Sequence, residues 1–139
     1  MDGEVGTPHE VVAVPELIEP VGFSHAIVSG PGRTVYVAGQ TAHGRDGTVR
    51  GASLIEQFDA AAGNVVATLR AAGAEPGQLT SMIMYVTDVA EYRASLRELL
   101  PVWRKHFGRY YPAAALIGVS ELVDPAAKVE LVCTAVIPA

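Results

Sequence analysis

At 139 residues the chain is long enough for one hydrophobic core and short for two ordinary domains. Half of it is hydrophobic and only 18% is charged, a balance that points to apolar surface buried between subunits. The formal net charge of −5 excludes a nucleic-acid backbone as the natural partner, and no apolar run reaches the length of a membrane span, so a cytoplasmic protein is expected.

Residues 1–8, rich in glycine and acid, read as a flexible tail, and 9–139 as a single domain. His9 to Val14 alternates weakly until Pro15. His25–Ser29 and Thr34–Ala38 are β-branched runs around Gly30-Pro31-Gly32-Arg33, which predicts a hairpin. Thr41–Gly51 is polar, with a second turn at Arg45-Asp46-Gly47-Thr48. Ser53 stands three residues before Glu56, a capping-box pattern, and Ile55, Phe58, Ala62, Val65, Val66 and Leu69 follow at helical spacing up to Gly73. A strand is expected over Thr80–Thr87. Asp88 then opens a second helix with the stripe Tyr92, Leu96, Leu99, Trp103 and Phe107, which Pro101 should kink or restart. Two strands close the chain, Ala113–Val119 and Lys128–Ile137, joined through Asp124-Pro125. In the last one Val129, Leu131, Cys133, Ala135 and Ile137 share one face, while Lys128, Glu130, Val132, Thr134 and Val136 share the other. Both faces are largely apolar, although two helices can cover only one. Self-association is the simplest way to bury the second.

Cys133 is the only cysteine, so no internal disulfide is possible, and in an apolar strand it reads as an inert thiol. His9, His25, His43 and His106 lack ligand spacing, so neither a metal nor another cofactor is implied.

Several segments in order carry a family pattern. They are Gly22-Phe23-Ser24-His25-Ala26, Val35-Tyr36-Val37-Ala38-Gly39-Gln40, the pair Gln57 and Asn64, Leu69-Arg70-Ala71-Ala72-Gly73-Ala74, Tyr85-Val86-Thr87-Asp88, and Tyr111-Pro112-Ala113-Ala114-Ala115 followed by Lys128-Val129-Glu130-Leu131-Val132. Together they resemble the RidA/YjgF (Rid, reactive intermediate/imine deaminase) family. The resemblance implies a chorismate-mutase-like α+β fold: a mixed sheet of about six strands, two helices on one face, and a homotrimer around a central barrel with ligand clefts between subunits. It also marks departures. Phe23 replaces a tyrosine, His25 a glutamine and Ala38 a serine. Ala114 replaces the arginine that clamps the substrate carboxylate in imino-acid deaminases, and a methyl group forms no bidentate ion pair.

Glu130 is the first candidate for catalysis, because a carboxylate in a partly apolar setting can serve as a general base. In the family the matching glutamate handles the water that attacks an imine carbon. The alternative is a rim ion pair with Lys128 or with an arginine of a neighbouring subunit. His25 is a second catalytic candidate, against a hydrogen-bonded structural histidine. Gly39 either offers its backbone to a ligand or sits at a bulge. Phe23, Ala38, Gln40, Tyr110, Ala114 and Leu116 complete the expected substrate-binding set, with Tyr110 shaping the cleft or lying on the surface. Arg33, Arg45 and Arg109 are the arginines that could substitute for the missing one. Two functions follow: a Rid-like hydrolase or deaminase of an enamine, imine or related metabolite lacking the usual carboxylate anchor, or a non-catalytic metabolite-binding, regulatory trimer. The first makes the chain an enzyme and is the one these residues favour.

Overall fold

The computed structural model describes residues 6–139; most of the expected N-terminal tail lies outside them. The central layer is a four-stranded mixed sheet in the order β3-β6-β4-β5, formed by β3 (Gly32–Gln40), β4 (Leu79–Val86), β5 (Ala113–Gly118) and β6 (Val129–Pro138). β6 runs antiparallel to both neighbours, and β5 lies parallel to β4 at one edge. Three helices, α1 (Leu54–Ala71), α2 (Val89–Ala94) and α3 (Leu96–Phe107), lie over one face.

The helix α1 forms as its sequence dictates. The Ser53 side chain accepts from the Glu56 amide, and Glu56 accepts in return from the Ser53 amide, closing the capping box. At the other end Gly73 takes a positive φ of 86°, and the Ala74 and Gly73 amides donate back to Leu69 and Arg70. The buried stripe of Phe58, Ala62, Val65 and Leu69 packs on Val37, Leu131, Cys133 and Ala135 of the sheet. The period-two reading of β6 holds: Val129, Leu131, Cys133 and Ala135 are buried under the helices. On the opposite, helix-free face Tyr36 stays 82% exposed and Ile117 42% exposed, beside the half-buried Val132.

Three expectations change. The segments around Gly30-Pro31-Gly32 do not form a hairpin with each other. β2 (Ala26–Val28) pairs with β1 (Glu10–Val12) in a separate two-stranded ribbon, and β3 pairs with β6. Consequently the sheet has four strands rather than about six. The second helix is interrupted at Ser95 and not at Pro101, which lies inside α3. Proline is tolerated there because Pro101 and Arg97, whose carbonyl loses its partner, are both exposed and water can take the missing bond.

Candidate active site

At the outer edge of β5 the chain doubles back on itself. Ser24 donates its amide to the Pro112 carbonyl (3.1 Å) and its hydroxyl to the Tyr111 carbonyl (2.6 Å), and it bridges Ala113 in parallel. These bonds lay residues 21–24 along the edge strand and bring Phe23 over it. Between this segment, β5 and the α2–α3 pair lies a cavity of about 450 Å³. Phe23, Ala114 and Leu116 line it, as do Met82, Met84 and Trp103. Three members of the expected substrate-binding set therefore meet in one cavity.

Tyr110 does not join them. It is 1% exposed, donates its hydroxyl to the Leu79 carbonyl (2.6 Å) and accepts the Trp103 indole N–H on its own carbonyl (3.1 Å). It is a core residue, and its neighbour Tyr111 faces the cavity instead, stacked on Trp103 at 5.2 Å between ring centroids. Position 114 pairs in register with Met82, on the helix side of the sheet. No arginine replaces it from within the chain: among the described residues Arg33, Arg45 and Arg109 are absent from the cavity wall, and Arg45 lines a separate polar hollow with Arg50, His43 and Asn64.

The remaining candidates gather near the other edge. Between Val37 and Gln40 the β3–β6 register shifts by one residue, so β3 bulges at Ala38 and Gly39. The bulge sets the Gly39 α-carbon against the Glu130 carboxylate so closely that any β-carbon would collide with it. Only glycine leaves room for the carboxylate in this position, by close approach and not by its backbone angles. Ala38 is exposed, and Gln40 folds back to donate to the Ala38 carbonyl (3.0 Å). Glu130 is half-buried and, among the described residues, its carboxylate has no hydrogen-bond or ion-pair partner in the chain. The pairing with Lys128 does not form. Lys128 Nζ instead reaches Glu91 at 2.7 Å, while the second Glu91 oxygen accepts the Leu54 amide (2.8 Å). These two bonds, the Lys128 contact foremost, hold the Glu91 carboxyl below its usual range.

Glu130 pairs in register with Tyr85, and Tyr85 with Ile117, all on the helix-free face. Glu130 and Ala114 thus lie on opposite faces of one sheet, on the order of 14 Å apart by strand and residue spacings. Ala114 and Leu116 therefore do not meet Glu130 inside a single chain.

His25 is fixed by its Nε2, which donates to the Ile18 carbonyl (2.7 Å), and by edge-on packing against Phe23 at 5.2 Å. That is the geometry of a loop-pinning histidine. Gln57 and Asn64 are braces as well. Gln57 donates to the Gly51 and Ala126 carbonyls and accepts the Lys128 amide, anchoring the entry to β6, while Asn64 donates to the Thr41 and His43 carbonyls. Cys133 is buried and its thiol is pushed up to about 12, so it is inert. Sequence reasoning missed Tyr92, Leu96 and Leu100 as cavity residues. Their signal was an apolar stripe on α2 and α3 wider than the core needs, which leaves Leu96 54% and Leu100 40% exposed.

The comparisons agree with this architecture. The family model described as Endoribonuclease L-PSP matches residues 16–137. A Yersinia pestis protein of unknown function from the conserved Rid family, YyfB, superposes with a TM-score of 0.80 at 30% identity, covering 93% of this chain and 98% of that one. RidA from an Antarctic Psychrobacter superposes at 0.66 with 25% identity, covering 92% and 99%. TdcF of E. coli, solved with bound serine, superposes at 0.66 with 23% identity over 87% and 91%, a likeness of fold. No curated protein matches the sequence. With its four-stranded sheet, its helix layer and a family match over nearly the whole domain, this chain belongs to the RidA/YjgF/YER057c/UK114 family.

Proposed function

We propose that this chain is a Rid-like hydrolase that deaminates an enamine, imine or related small metabolite lacking a carboxylate, in a cleft between the subunits of a homotrimer. The observation that carries the reading is the pairing of an unpartnered Glu130 carboxylate with a ligand cavity in which Ala114 stands at the arginine position. Glu130 would take a proton from water as its oxygen attacks the imine carbon. That proton passes to nitrogen to give a carbinolamine; the carbinolamine hydroxyl proton then moves to nitrogen as the C–N bond breaks, so ammonia leaves and the water oxygen stays as the carbonyl of the product. Gly39 keeps the carboxylate in place, and the apolar cavity excludes bulk solvent from the bound molecule.

The trimer supplies what one chain lacks. Phe23, Ala114 and Leu116 lie at the β5 edge, while Gly39, Gln40 and Glu130 lie toward the β3 edge on the other face. An assembly that buries the helix-free face and sets neighbouring subunits edge to edge would bring one group against the other. The exposed Tyr36 and Ile117 on that face favour such burial. Serine bound to TdcF shows a relative holding an amino acid, whose carboxylate this cavity has no charge to receive. Losing a buried carboxylate–arginine contact costs roughly 2–5 kcal/mol of binding. A net charge of −5 opposes the RNA binding that an endoribonuclease would need.

The competing reading is a trimer that binds a metabolite without turnover. Hydrolysis of a neutral imine, 1-phenylethanimine, to acetophenone and ammonia separates the two. Acceleration by the wild-type protein that Glu130→Gln lowers by roughly 100-fold or more is the expected result. Equal rates for the two proteins would leave only binding.

A further inference from the structure

We infer that the occupant of the cavity beneath α2 and α3 is an uncharged, largely apolar molecule with one hydrogen-bonding group, of the size of a single substituted ring. The inference rests on the reading of position 114 as part of the ligand site and names the chemistry that site selects.

Among the described residues, no lysine, arginine, histidine, aspartate or glutamate lines the cavity. An ionised group placed there would lose its water and gain no counter-charge. The walls are instead rings and thioethers. Trp103 lines the cavity stacked with Tyr111, and Phe58 lies nearly parallel to it at 6.4 Å between ring centroids. Met82 and Met84 add adaptable sulfur contacts suited to a flat π-system. Polar side-chain groups come from two tyrosines. The Tyr92 and Tyr111 hydroxyls belong to cavity residues and, among the described residues, have no hydrogen-bond partner in the chain. Burial holds the Tyr92 phenol above its ordinary range, so it stays a neutral donor at physiological pH. Tyrosine hydroxyls beside an otherwise apolar wall fit an imine, carbonyl or amide and supply no positive charge for a carboxylate. A volume of about 450 Å³ is ample for one ring with a short substituent. Ala114 on the edge strand leaves that space open, and an arginine at 114 would fill part of it and add a charge.

Trp103 is the sole tryptophan, so its fluorescence reports occupancy directly. The test titrates the full-length protein with a matched pair, phenylacetamide and phenylacetate, following Trp103 emission and the Met82 and Met84 methyl resonances. Saturable binding of phenylacetamide with shifts at both methyls is expected, with phenylacetate weaker by roughly tenfold or more. Leu100→Lys, at a part-exposed lining position, should weaken the amide and strengthen the acetate without changing the circular dichroism spectrum. Phenylacetate binding as tightly as phenylacetamide to the wild type would overturn the inference. So would a failure of phenylacetamide to move Trp103 and the two methyls, as when a neighbouring subunit fills the cavity. The two readings fail separately. A protein that binds phenylacetamide but hydrolyses no neutral imine refutes the hydrolase alone. One that turns over a neutral imine while phenylacetamide leaves the cavity signals unmoved refutes the apolar-ring occupant alone.

Discussion

Glu130 owes its position to a glycine. Its carboxylate lies against the Gly39 α-carbon at the β3 bulge, so a methyl group at 39 would push the end of a flexible side chain aside rather than break the sheet. Gly39→Ala should therefore leave the melting temperature nearly unchanged. Turnover of 1-phenylethanimine should fall about 100-fold, the scale of a misplaced catalytic group. Retained turnover in Gly39→Ala would show that the geometry at Glu130 is not catalytic. The residue scale is also where the sequence is least readable. Tyr110 and Tyr111 are adjacent, and which ring turns inward depends on where β5 begins after Gly108, with its φ of 70°. Period-two alternation puts Ala114 and Leu116 on one face. Whether Glu130 shares that face depends on the β5–β4–β6 register, which pairs residues far apart in the chain.

At the scale of elements, local signals were legible and non-local pairings were not. The start and stop of α1 are written in Ser53, Glu56 and Gly73, each acting within a few residues, and the structure forms both caps. The supposed hairpin failed for the opposite reason. Gly30-Pro31-Gly32 is a sound turn, yet β3 gains more by pairing along β6 at the centre of the sheet, leaving β2 to the short β1. One contact ties three elements together: Glu91 on α2 caps the first turn of α1 and pairs with Lys128 ahead of β6. Its folded-state pKa is depressed, so its stabilisation is complete above the unfolded carboxyl value near 4.5 and is lost as the pH falls through the carboxylate range. Glu91→Gln should lower stability at pH 7 by about 1.5–3 kcal/mol, the worth of a charged hydrogen bond. It should also lose less than the wild type on going from about pH 5 to pH 3, as chemical denaturation at each pH would show. Parallel losses for the two proteins would mean that the bonds to Leu54 and Lys128 do not form in solution.

For the whole molecule, composition already indicated the main fact, an excess of apolar surface that two helices cannot cover. The structure locates that excess in two places, a helix-free sheet face and a cavity beneath α2 and α3. The first fits assembly and the second fits a ligand. Both edges of the sheet carry candidate groups that a single chain holds apart, so function is expected to belong to the assembly. Family membership was readable from the order of short motifs, whereas the proposed substrate chemistry needed the walls of the cavity, assembled from five separate stretches of chain. The most direct measurement compares ammonia release from 2-aminoacrylate, which carries a carboxylate, with release from 1-phenylethanimine, which does not, using one wild-type preparation and Glu130→Gln as the background. Glu130-dependent acceleration confined to the neutral imine is the expected result. Equal or greater acceleration of 2-aminoacrylate would contradict it and show that the carboxylate is held by a charge from outside this cavity.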